Sequence, residues 1–146
     1  MKKLIILLAV AAIVYGVEFV HERGISVPAP PSESQGSNSD VRLAYENRQS
    51  DVQVRGQGTV LRVLPDDNEG SRHQRFILEI ETGQSLLIAH NIDLAPRIAG
   101  LNRGDTVEFY GEYEWNAKGG VIHWTHHDPK RRHVDGWLKH GGRTYQ

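Results

Sequence analysis

The sequence predicts an all-β domain with one short helix: a five-stranded, OB-fold-like small barrel in the order β-β-β-α-β-β. Three observations carry that expectation. Apolar residues alternate with period two in short runs, most clearly at Phe76, Leu78 and Ile80 and at Val107, Phe109, Gly111, Tyr113 and Trp115. Turn-forming clusters rich in Gly, Pro, Asn and Asp separate the runs. One segment, 93–101, switches to helical spacing. Closing five strands on themselves leaves little exposed edge. An SH3-like or more open small barrel is the other architecture the pattern allows.

The first strand lies between Val52 and Leu64. Val52 and Val54 alternate, and Val60, Leu61, Val63 and Leu64 continue the run. Gly56 and Gly58 between them predict a bulge or sharp bend. The stretch PDDNEG at 65–70 is a turn. The second strand covers 73–81, with Arg75, Glu79 and Glu81 facing away from its apolar side. Thr82 and Gly83 close a hairpin into a third strand at 85–89. Asp93 is placed to cap a helix over 93–101, with Pro96 in the first turn and Leu94, Ile98 and Leu101 at helical spacing. The fourth strand is 106–115, a turn follows at 116–120, and the fifth strand is 121–127. Residues 128–146 form a polar C-terminal extension docked by Trp137, Leu138 and Tyr145.

The domain organisation follows from composition. Lys2 and Lys3 precede fourteen apolar residues at 4–17, about 21 Å of helix against a hydrocarbon core of about 30 Å. Residues 1–20 therefore read as a cleaved signal or an N-terminal anchor that meets the membrane, with export to the periplasm or tethering on its face. Residues 21–50 are Pro/Ser/Gly-rich and read as a linker; 51–146 is the barrel domain with its extension. A domain this small excludes a two-lobed enzyme. The absence of cysteine excludes disulfides, thiol catalysis and iron–sulfur clusters. From Val41 onward 14 basic residues balance 14 acidic ones, so no global basic field drives non-specific nucleic-acid binding.

Histidine is the unusual residue, with eight in the chain and seven after Val41. If the fourth strand ends where the first does, the meander gathers polar residues at one end of the barrel. The ligand-binding candidates are then His73, Arg75, His90, Asn91, Asp93, Arg97, Asn116 and His123. A divalent metal would be held by His73, His90 and His123 with Asp66 and Asp93, donor types that suit zinc, manganese or iron. On a continuous strand His123 and His127 share a face while His126 points away. The plainer reading is that these histidines bond local backbone at the rim. Glu108, Glu112 and Glu114, with Tyr110 among them, form an acidic row that can bind a cation or a basic partner; the plainer reading is a solvated outer face, and KRRH at 130–133 is the local cationic cluster.

The words RHQRF at 72–76, HNIDLAPR at 90–97, FYGEYEWN at 109–116 and HWTHHDP at 123–129 resemble a bacterial family of small exported or membrane-tethered proteins of unknown function. The resemblance covers about 57–146. It implies a bacterial, exported or tethered protein, is compatible with a small β-barrel, and carries no activity over. Two functions compete. The first is a binding module that offers the polar rim to a small anionic ligand, a glycan or an envelope protein. The second is a metal-dependent hydrolase of nuclease or phosphodiesterase type, the one reading in which nucleic acid is a partner. There the metal activates water and Arg75 or Arg97 stabilises phosphate charge. A pH-responsive structural role rests on the histidine content alone.

Overall fold

The structure, a computed structural model, describes residues 33–146. The segment read as signal or anchor lies outside them. Among the described residues no helix is long and apolar enough to cross a membrane. The elements are α1 (Glu33–Glu46), β1 (Val52–Asp67), β2 (His73–Glu79), β3 (Ser85–Asn91), β4 (Thr106–Glu114), β5 (Val121–His123), β6 (Trp137–His140) and β7 (Arg143–Tyr145).

Five strands close a ring in the order β1-β2-β3-β5-β4-β1, the OB-like arrangement. The long β1 makes closure possible by pairing twice. Its first half runs antiparallel to β4, from Val52↔Tyr113 to Thr59↔Thr106, and its second half pairs with β2. β3 meets β5 in parallel, Ile88 beside Ile122. The inner faces converge on one core. Val54, Phe76, Leu78, Leu86, Ile88, Phe109, Tyr113, Ile122 and Leu138 are each at most 1% exposed. Burial of a large apolar side chain contributes about 1.5–3 kcal/mol. The barrel-like sheet therefore rests on the period-two alternation.

The helix is not where its spacing predicts. Residues 93–101 form turns because their backbone groups bond side chains of the sheet instead of each other. Gln74 takes both backbone groups of Ile98, its Oε1 accepting from Ile98 N at 2.9 Å and its Nε2 donating to Ile98 O at 3.0 Å. His90 Nε2 lies 3.0 Å from the Pro96 carbonyl. Asp93 serves Arg72, not a helix N-terminus.

The 21–50 linker is likewise corrected from Glu33 onward, where α1 forms. Asn38, Val41 and Tyr45 lie at i, i+3 and i+7 on one face; with Ala44 they pack on the ring. Tertiary packing here outweighs a Ser/Gly-rich composition of low helix propensity. Asn38 ties the helix to β1. Its Oδ1 accepts from Gln57 N at 3.0 Å and its Nδ2 donates to Gln57 O at 3.1 Å. Gly56 leaves the room for this, since a Cβ there would strike Asn38 Oδ1 and Phe109. The glycine thus marks a close approach; the register shifts of β1 fall later, at Val60/Arg62 and Leu64/Asp67. Asn38→Ala is expected to cost about 1–3 kcal/mol in urea unfolding by leaving part-buried Gln57 backbone groups unpaired, with faster hydrogen exchange at the Gln57 amide.

The C-terminal extension is part of the sheet. β6 joins β4 on the edge that β5 vacates, with Tyr110↔Trp137 and Glu108↔Lys139 paired, and β7 folds back on β6. Leu138 and Tyr145 are buried in the core while Trp137 lies half-buried on the outer face.

Candidate metal centre

On β4, Glu108, Tyr110, Glu112 and Glu114 face outward between buried Val107, Phe109, Gly111 and Tyr113. Hairpin register sets His123 of β5 opposite Glu112. Its Nε2 faces Glu114 Oε1 at 3.3 Å and Glu112 Oε1 at 3.6 Å. One ligand atom from each of the three side chains lies within 4.8 Å of the other two. Two carboxylates on one strand face repel unless positive charge stands between them. Protein ligands sit about 2.0–2.2 Å from a zinc ion, hence about 3–4 Å from one another. The two imidazole–carboxylate separations already match, and the Glu112 and Glu114 ligand atoms lie within 4.8 Å of each other.

A built loop brings a second imidazole to this cluster. β5 ends early because Trp124 adopts φ 54°, a left-handed conformation rare for a bulky residue. The chain leaves the sheet and returns as β6. Asp128 shapes the excursion: its Oδ1 accepts from Lys130 N at 2.9 Å, and its Oδ2 from Arg132 N and His133 N at 2.7 and 2.8 Å. The amides of Lys130 and Arg132, joined by that of His133, hold the Asp128 carboxyl below the usual carboxylate range. Asp135 fastens the other side, accepting from Asp128 N at 2.8 Å and facing His127 Nδ1 at 3.0 Å.

The result is that His133 stacks on Trp124, centroids 4.0 Å apart at 8°, and donates from Nε2 to Glu112 Oε2. Its Nδ1 faces the Val134 carbonyl at 2.8 Å. Both ring nitrogens face acceptors, so the ring is a double donor. Burial disfavours its charge, but Glu112, the Val134 carbonyl and Asp128 outweigh burial and raise its pKa. One oxygen of Glu112 is thereby anchored and the other is left toward His123.

The residues expected to share one end of the barrel divide four ways, His123 going to the cluster above. Asp93 and Asp66 stand in closed pairs, with Arg72 and Arg97 respectively. Arg72 donates to Asp93 from its amide at 2.9 Å and from Nε at 2.8 Å, and Arg97 pairs with Asp66. The Arg72 amide and then its side chain hold the Asp93 carboxyl below its ordinary range. Asn91 sits beside them, opposite His73 in register and accepting from Asp93 N at 2.9 Å. His73 Nδ1 contacts Ser71 O at 2.8 Å, and Arg75 Nε donates to Pro65 O at 3.1 Å.

His90 belongs to the second group, the core. It is 0% exposed, on the inner face with Leu86 and Ile88, while His73 follows the outward alternation of β2. Neighbouring strands therefore carry the two imidazoles to opposite faces, and the expected set of His73, His90, His123, Asp66 and Asp93 does not form. Asn116 is the third case. β5 runs parallel to β3, so β4 ends at the opposite end of the ring. There Asn116 Oδ1 caps its own turn, accepting from Lys118 N at 2.9 Å and Gly120 N at 3.0 Å.

Of the metal candidates, His123 alone stands in the observed cluster. Glu112 and Glu114 belong to the acidic row that the sequence offers as a cation site or, more plainly, a solvated face, and His133 ends the basic run. A hairpin count offered a signal: the 116–120 turn sets Glu114 against Val121 and hence Glu112 against His123.

A search of curated proteins gives no match. A family model matches residues 27–146, taking in the whole ring, the 124–136 loop and α1. The chain belongs to that family, described as proteins of unknown function (DUF3465).

Proposed function

We propose that the chain is an exported binding module whose outer sheet face holds a divalent cation of the zinc or manganese class through Glu112, Glu114 and His123. The observation that carries this reading is the convergence of the His123 Nε2 on both carboxylates, at 3.3 and 3.6 Å. Mixed imidazole and carboxylate donors suit these ions. Export is supported by the basic pair and apolar run at 2–17. Titration calorimetry on the full-length chain tests the site. Glu112→Gln and His123→Ala are each expected to weaken uptake at least a hundredfold while the thermal midpoint stays within a few degrees. Equal uptake by wild type and variants, or none by wild type, would remove the reading and leave His123 as a hydrogen-bonding partner of Glu114 beside Glu112.

A second reading, the metal-dependent hydrolase, draws on one feature. His123 and Glu114 are each 34% exposed at the side chain, so an ion held by three protein ligands keeps coordination positions for water or a phosphate oxygen. Arg75 and Arg97, proposed from sequence to stabilise phosphate, are engaged by Pro65 and Asp66. Metal-dependent cleavage of bis(p-nitrophenyl) phosphate that Glu112→Gln abolishes would favour this reading over simple binding.

A further inference from the structure

The metal cluster occupies one row of an outward surface whose next rows carry two aromatic rings. Arg55, Tyr110 and Trp137 face one another across β1, β4 and β6, a span of about 10 Å. Tyr110 and Trp137 lie with ring centroids 6.1 Å apart. Two cations converge on the same indole, Arg55 Cζ at 5.3 Å and Lys139 Nζ at 4.4 Å from its centroid. Glu108 is the register partner of Lys139 yet makes no ion pair with it. Two like charges drawn to one ring, neither of them in an ion pair among the described residues, keep donors free for an anion.

The sign of this surface depends on the neighbouring site. Glu108, Glu112 and Glu114 offset Arg55 and Lys139, so without the ion the face has no net positive charge to draw phosphate. A divalent ion on Glu112 and Glu114 cancels two of those charges. Arg55 and Lys139 are then the cations of the face, and Lys130, Arg131 and Arg132 of the loop that delivers His133 are exposed as well. Among the described residues none of these five is in an ion pair. Paired aromatic rings beside unpaired cations suit a strand of stacked bases joined by phosphates.

Resting on the metal reading above, we infer that the cation-loaded face binds single-stranded nucleic acid, a base displacing Arg55 or Lys139 from the Trp137 ring to stack there beside Tyr110, and the phosphates meeting the released cations. This face is distinct from the closed ion pairs at the end of the ring. It also answers the formal neutrality of the domain, because the ion supplies the charge that the sequence lacks.

The test uses the full-length chain and a fluorescein-labelled twelve-residue oligothymidine, followed by anisotropy at low salt with manganese or with chelator. Binding at least tenfold tighter with manganese, and weakened by added salt, is expected. Trp137→Ala should weaken it at least tenfold with manganese uptake unchanged. The double variant Arg55→Gln/Lys139→Gln, which removes both cations but keeps the ring, should do the same and flatten the salt dependence. Manganese uptake without oligonucleotide binding would overturn this inference alone. Binding that ignores the variants, or tighter capture of duplex DNA or of polygalacturonate, would also overturn it. No manganese uptake in the same sample would remove the metal reading and this inference together.

Discussion

The domain is expected to lose about 2–3 kcal/mol of stability between pH 7 and pH 4.5 from His90 alone. His90 is fully buried, with Nδ1 2.8 Å from Thr125 Oγ1 and Nε2 3.0 Å from Pro96 O. A carbonyl only accepts, so Nε2 carries the hydrogen and the neutral ring accepts the Thr125 hydroxyl at Nδ1. Burial lowers the pKa to about 4; the Pro96 bond opposes the shift, and His126 and His73 nearby add to it. The folded state thus binds the proton less readily than the unfolded chain, whose imidazole titrates near 6.5. Stability from this group is complete above about 6.5. It falls as the pH drops through the window and is gone below about 4, because protons favour the unfolded chain there. Urea unfolding at several pH values measures the slope. His90→Gln keeps a donor and an acceptor but cannot titrate, so its stability should fall less steeply across the window. An equal slope would place the pH response elsewhere.

Gly136→Ala should be more damaging than any surface substitution, costing about 3 kcal/mol or more. A Cβ there would overlap the Trp124 carbonyl oxygen, lie 2.5 Å from Tyr110 O and 3.0 Å from Thr125 Cα. All three are backbone atoms, so no side chain can swing aside. Gly136 N also donates to His126 O at 2.9 Å, closing the loop that carries His133 to Glu112. The substitution should therefore loosen β6 and the His133 clamp together. Thermal unfolding measures the loss of stability, and faster hydrogen exchange at the Trp137 amide, whose register partner Tyr110 turns its carbonyl toward Gly136, reports the loosening of β6. An unchanged midpoint would mean that the loop closes in another way.

The ring was legible because its cause is local. Phe76 and Leu78, and Val107, Phe109 and Tyr113, alternate in the sequence and line the core in the structure. The helix was misplaced for a physical reason of longer range. Leu94, Ile98 and Leu101 have helical spacing, but Gln74, twenty-four residues away in sequence, takes both backbone groups of Ile98. α1 shows the converse, since its Ser/Gly-rich sequence becomes helical through Val41, Ala44 and Asn38 docking on β1. The candidate site was half legible. His123 could be singled out by its residue type, and its partners only by strand register. His133 depends on Trp124 in a left-handed conformation and on an Asp128 turn, neither of which a motif announces. His90 was misassigned because alternation identifies a face, and at that end of β3 the inner face accepts a histidine whose two nitrogens are both satisfied.

Metal content tests the central claim most directly. The full-length chain, purified without a histidine tag, supplied with zinc and manganese and then dialysed without chelator, would be analysed by elemental mass spectrometry beside Glu112→Gln. The site predicts close to one zinc or manganese per wild-type chain and under a tenth of that in the variant. A wild-type protein with substoichiometric metal, or a variant that retains as much as wild type, would contradict a cation centre at Glu112, Glu114 and His123.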